Sequence, residues 1–168
     1  MIFNKILSAV TAVALTASSA VAKIDDGTVD LINTVDASDI HVTIDGTFCT
    51  ENPGYSGVYM HSGFRRQLHL CPGADVDAND HDTVRHEVFH AIQHCVNAAR
   101  GTHLDTPINQ DIQEVNQVAH DILGADYVRW IQSSYERKDW LIEYEANIGA
   151  RIFTASDLQD MFKRACLN

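Results

Sequence analysis

The hydrophobic period of this 168-residue chain changes once, and that change limits the folds open to it. From Lys23 to about Leu70 the apolar residues recur in short, strand-like patterns. Ile40, Val42 and Ile44 alternate with polar neighbours through Asp39–Phe48, and Gly57–Met60 and Gln67–Leu70 are two more short strand candidates beyond the Asn52-Pro53-Gly54 turn. From Thr83 onward the spacing becomes helical. Val84, Val88, Ala91, Ile92, Cys95, Val96 and Ala99 mark one long helix that stops at Gly101. Further helices are predicted over about Gln110–Leu123, Asp126–Glu136, Lys138–Phe153 and Ser156–Ala165, the last with Ser156 as its cap and Gln159 three residues on. Strands first and helices second predict an α+β domain, a short antiparallel or mixed sheet followed by a helical half. No repeat or linker divides residues 23–168, which read as one domain.

The first 22 residues read differently. Lys5 is their only charge, an apolar run spans Ile6–Leu15, and small residues end in Ala20-Val21-Ala22. That order predicts a secretory signal peptide cut after Ala22, because the run is shorter than the ~20 apolar residues a membrane span needs. The expected mature protein is secreted or periplasmic and keeps no stable membrane association. In such a compartment Cys49, Cys71, Cys95 and Cys166 predict two disulfides, with all three pairings open. No two of them have the close spacing of a thiolate zinc site. With 12 Lys+Arg against 23 Asp+Glu, net charge −11, the chain has few cations for a phosphate backbone, so nucleic acid is not an expected partner.

The long helix carries His86-Glu87-Val88-Phe89-His90. Two His at i and i+4 lie one turn apart on one face, about 6 Å along the axis, so both imidazoles can reach one tetrahedral Zn²⁺. Glu87, about 100° round the helix, is placed to touch a metal-bound water rather than the metal. Val88, Phe89, Ile92, Val96 and Ala99 form the opposite, docking stripe. His94 lies roughly 12 Å from His86 along the helix, too far to share the ion, and reads as a cleft-wall residue.

HEVFHAIQH resembles the active-site helix of the zincin metallopeptidases, the HExxH class. The order of strands, loop, HExxH helix and later Glu-bearing helix is similar to the gluzincin branch, whereas the longer metzincin motif would need Gly and His where Ile92 and Val96 stand. Trp140–Asn147 (WLIEYEAN) resembles the gluzincin E-x-x-x-D element. Matched residue by residue, Glu143 falls on the third ligand and Asn147 on the carboxylate that orients a ligating His, an Asn here bringing no charge. Glu143 and Asn147 share the side opposite Leu141, Tyr144, Ile148 and Ile152, and Glu145 flanks that stripe as the competing ligand. The resemblance also implies that Leu68-His69-Leu70 is the edge strand along which an extended substrate would add.

The implied activity is hydrolysis of a protein or peptide substrate. Zn²⁺ held by His86, His90 and Glu143 would leave a position for water and lower its pKa towards ~7, with Glu87 as general base. Tyr135, Tyr144 and His120 are candidate donors to the oxyanion. The alternative is a secreted zinc-binding or partner-binding protein of zincin-like fold without catalysis. Asp75-x-Asp77-x-Asn79 begins like a calcium loop, but Asp80 stands where an EF-hand needs Gly and His86 where it needs Glu, so an acidic loop entering a helix is expected.

Overall fold

A computed structural model describes residues 26–63, 65–72 and 78–167 of the chain. The expected signal peptide, and Asp75 and Asp77 of the acidic loop, lie outside the described residues. The alternating segment forms β1 (Ile40–Ile44), and the two short candidates form β2 (Gly57–Ser62) and β3 (Arg65–Leu70). Their order is β1-β3-β2, with β1 parallel and β2 antiparallel to β3. The middle strand is therefore Arg65–Leu70, where Leu68 and Leu70 are buried, and not the edge strand expected. The edge that faces the helical half is β2.

Seven helices accompany the sheet among the described residues: α1 (Asp26–Asp36), α2 (Thr47–Glu51), α3 (Ala78–Arg100), α4 (Ile112–Leu123), α5 (Ala125–Ser134), α6 (Trp140–Ile152) and α7 (Ala155–Cys166). The strand-like reading from Lys23 is corrected at α1. That segment is rich in β-branched residues, which cost a helix a few tenths of a kcal/mol each. Yet Thr28, Leu31, Ile32 and Val35 recur at helical spacing and are all buried. Burying the three aliphatic side chains contributes about 1.5–3 kcal/mol each, so docking outweighs propensity. Gln159 of α7 fixes the contact by donating to Asp30 O and Thr34 Oγ1. The strand expected through Phe48 stops at Ile44, because Asp45 takes a left-handed φ of 50° and α2 follows. At α7 the cap is Thr154, not Ser156: Thr154 and Asp157 form a reciprocal capping box.

Helix α3 runs through the middle of the molecule. Val84, Val88, Phe89, Ala91 and Ile92 join Leu31, Val35, Ile40, Leu68, Leu158 and Phe162 in the larger core. Val96 is only half-buried and Ala99 is exposed, so the docking stripe ends before the helix does. Helix α6 is buried on two sides. Ala146 enters the larger core, while Tyr144 and Ile148 join Val115, Ala119, Leu123, Val128 and Ile131 in a second one. Gly149 lets α6 cross α3 closely, since a Cβ there would collide with the Phe89 ring. Ile152, expected in the stripe, is 51% exposed. None of the described helices is long and apolar enough to cross a membrane.

Two disulfides close, Cys49–Cys71 and Cys95–Cys166, which selects one of the three pairings and is compatible with a secreted or periplasmic protein. The second ties the C-terminus of α7 to α3. Its ends are 71 residues apart against 22 for the first, so chain entropy assigns it about 4 kcal/mol against about 3. Urea unfolding of the Cys95→Ser, Cys166→Ser double variant should show the larger loss of stability. A smaller loss than that of the Cys49→Ser, Cys71→Ser variant would contradict this ranking.

Candidate metal centre

One helical turn separates His86 from His90 on α3, and their rings meet edge to face with centroids 4.6 Å apart. Glu143, in the first turn of α6, closes the triangle. The His86 and His90 Nε2 atoms lie 3.0 Å apart; His86 Nε2 is 3.4 Å from Glu143 Oε2 and His90 Nε2 is 3.4 Å from Glu143 Oε1. A tetrahedral ion with bonds of 2.0–2.1 Å sets its donors about 3.3 Å apart, so the two nitrogens and the carboxylate suit such a shell. His86, His90 and Glu143 are the one group of His, Cys, Asp or Glu among the described residues that could hold a metal ion. The fit has a second sign. Glu143 is 9% exposed, and its Oε2 is buried with no hydrogen-bond partner, a costly state for a carboxylate that a cation relieves.

The charges around the three donors agree. Burial by itself raises the Glu143 pKa, but the neighbouring His86 and His90 outweigh it and hold the carboxyl down to about 2. Burial likewise lowers the His90 pKa, and the Glu143 carboxylate, helped by Glu87, overrides it and lifts the group to about 9. Such a site favours positive charge.

Glu87 stands outside the trio. Its Oε2 accepts the Tyr59 backbone N–H of β2 at 2.7 Å, which joins α3 to the sheet edge. Gly57 permits that approach, because a Cβ there would sit 3.0 Å from Glu87 Cγ and 2.7 Å from Thr83 Cγ2.

A residue that the sequence reading passed over holds His90. Gln93 donates through Nε2 to Ile142 O at 3.1 Å and to Glu145 Oε2 at 2.9 Å. Both partners only accept, so the other amide atom facing His90 Nδ1 at 2.7 Å is the carbonyl oxygen. With a cation in place of its second proton, His90 would keep the Nδ1 proton and present the Nε2 lone pair to the site. The signal for Gln93 was its place three residues after His90, on the same helical face.

The competition between Glu143 and Glu145 resolves by position. The Glu145 carboxylate also accepts the N–H groups of Ile108 at 2.6 Å and Asn109 at 2.8 Å, so it anchors the segment before α4 and faces away from the two histidines. Asn147 departs from the role implied for it. Its Nδ2 donates to Glu143 O and its Oδ1 accepts from Tyr127 OH, both at 2.8 Å, while His86 Nδ1 is buried without a partner. A neutral amide brings no charge to draw an imidazole N–H.

Two cavities flank the centre. One, of about 600 Å³, is lined by Tyr55, Tyr127, Trp130, Tyr135, Asn147 and Arg151. The other, of about 260 Å³, is lined by Tyr59, His61, His94, Asp105, Asp139 and Ile142. His86, Glu87, Gly57, Tyr55 and Tyr135 line both, so the centre lies where the two halves of a cleft meet. His94 is a cleft-wall residue as expected, packed on His61 and Tyr59. Of the three oxyanion candidates, Tyr135 alone lines the cleft. Burial, reinforced by the negative charges of Glu143 and Glu87, raises its pKa and keeps the hydroxyl protonated. Tyr144 is buried in the second core, where its hydroxyl accepts from Gln132, and His120 is exposed on α4 away from both cavities.

No protein-family model matches the chain, and no curated protein or solved structure is significantly similar to it. The site therefore stands on its own geometry.

Proposed function

We propose that this chain is a small exported zinc-dependent peptidase of zincin-like type. One observation carries the reading: two imidazoles and a carboxylate converge at 3.0–3.4 Å, and a fourth group, the Glu87 carboxylate, is held beside them against the free edge of β2. Metal binding alone does not need Glu87, whose bond to Tyr59 N–H engages only one of its two oxygens. Two imidazoles and one carboxylate suit Zn²⁺, which when bound supplies a Lewis acid that acidifies its water and polarises a carbonyl. The residues of the chain then divide the work. Glu87, one oxygen fixed by Tyr59 N–H, takes the proton of the attacking water on its other oxygen and returns it to the leaving amine. The Tyr135 hydroxyl donates to the oxygen that becomes negative as the carbonyl is attacked. The outward backbone groups of β2 other than Tyr59 N–H, which Glu87 holds, receive the substrate as an added strand. Two disulfides agree with export.

The test compares zinc-reconstituted and chelator-treated protein on unfolded casein, beside metal analysis. One zinc per chain with chelator-sensitive turnover is expected. Zinc bound without turnover would leave the non-catalytic metal protein as the reading, and no zinc would remove both.

A further inference from the structure

The larger cavity contains a cation without a carboxylate partner among the described residues. With net charge −11, carboxylates are in excess, and Arg66, Arg85, Arg129 and Lys138 each pair with one: Asp39, Asp82, Asp126 and Glu136. Arg65, Arg100, Arg137 and Arg151 make no ion pair among the described residues, and of these Arg151 alone lines a cavity beside the centre. Its guanidinium carbon lies 4.4 Å over the Tyr127 ring, and one terminal nitrogen donates long hydrogen bonds of 3.4 Å to Ile122 O and Leu123 O at the end of α4. The Tyr127 hydroxyl is tied to Asn147, so the ring under the guanidinium is fixed. Stacking holds the plane of the fork without using most of its donors, the arrangement that suits Arg to carboxylates.

The wall beside it is aromatic. Tyr127 and Trp130 lie 5.1 Å apart and Trp130 and Tyr135 6.2 Å, and Trp130, 49% exposed, lines the cavity. Asp82 also lines this cavity, with Arg85 on its carboxylate. The opposite cavity carries Asp105, bound to His61, and Asp139, which repel an anion. A substrate carboxylate is thus directed to one side of the centre.

Building on the peptidase reading, we infer that Arg151 and the Tyr127–Trp130 wall form a carboxylate-binding subsite. The substrate is a peptide with a carboxylate two to three residues from the bond cleaved and a bulky apolar side chain between. The spacing follows from α6. Arg151 is eight residues beyond Glu143, about 12 Å of helix rise, and its long side chain leans back toward the N-terminus. An extended peptide covers the remainder in two to three residues of about 3.3 Å each.

The carboxylate can belong to a chain terminus or to an acidic side chain, and two substrate pairs separate these. The first is acetyl-Ala-Ala-Ala-Phe-Ala with free or amidated end; the second is an amidated series ending in Glu or Gln. For the zinc-reconstituted protein, kcat/KM should favour the carboxylate member of at least one pair about tenfold. The ratio should fall to about one in Arg151→Gln, recover in part in Arg151→Lys, and stay at the wild-type value in Arg129→Gln, which removes a charge outside the cavity. Turnover without carboxylate preference, or a preference kept in Arg151→Gln, overturns the subsite and leaves the peptidase reading intact. Calorimetric binding of the same peptides to Glu87→Gln covers the converse case. A carboxylate preference lost on adding Arg151→Gln supports the subsite even if no peptide is cleaved, and no preference in binding overturns it.

Discussion

Glu87→Gln is expected to bind one zinc ion per chain as the unaltered protein does and to lose casein hydrolysis by roughly 10²–10⁴-fold, the range for removing a general base. The two halves of the result come from different atoms. The proposed metal donors are His86, His90 and Glu143, the group that could hold an ion, and Glu87 is not among them, so on that reading the ion keeps its three ligands. The amide oxygen of the replacement side chain can still accept the Tyr59 N–H that Glu87 Oε2 accepts now, so the seam between α3 and β2 survives. What the amide cannot do is take a proton from water. Metal content by atomic absorption and turnover of casein, on the same preparation, separate the effects. Activity within a few fold of the unaltered protein would place the base elsewhere.

How much of this was legible in the sequence depends on the range over which each residue acts. The i, i+4 pair His86 and His90 is written in one turn of helix, and helix geometry does the rest. The Glu143–Asn147 spacing was equally local, and it placed both on one side of α6. What Asn147 touches was not local: Tyr127 comes from α5, twenty residues earlier. The docking stripes were drawn too long for the same reason. Ala99 and Ile152 have the right period, but no neighbouring element covers that end of either helix. Helix α1 was misread because its β-branched residues speak for a strand until α7 is present to bury Leu31 and Val35. The edge strand was misassigned because β1 returns to pair with β3 in parallel, a long-range choice no strand pattern announces.

The fold gives the two carboxylates of α6 different roles, and the variants Glu143→Ala and Glu145→Ala should divide accordingly. Glu143→Ala removes one of three donors. Structural zinc sites bind with about 10–16 kcal/mol over four ligands, so the loss of one is expected to weaken zinc by roughly 10²–10³-fold. In the metal-free chain it also removes the carboxylate that faces His86 and His90 and is held down to about 2 by them, so urea unfolding near pH 7 should show a loss of stability as well. Glu145→Ala acts mainly on folding. It strips the acceptor from Ile108 N, Asn109 N and Gln93 Nε2, and part-buried donors left unmatched cost about 1–3 kcal/mol each. Urea unfolding should register a loss of about 3 kcal/mol or more. Zinc affinity should fall only about tenfold, through Gln93, which no longer has Glu145 to hold its carbonyl against His90 Nδ1. Gln93→Leu tests that link alone, by the same tenfold loss of zinc with little change in the segment before α4. Competition with a chromophoric chelator gives the affinities. A Glu145→Ala chain that loses zinc as completely as Glu143→Ala would show that the ligand has been placed one residue pair too early on α6.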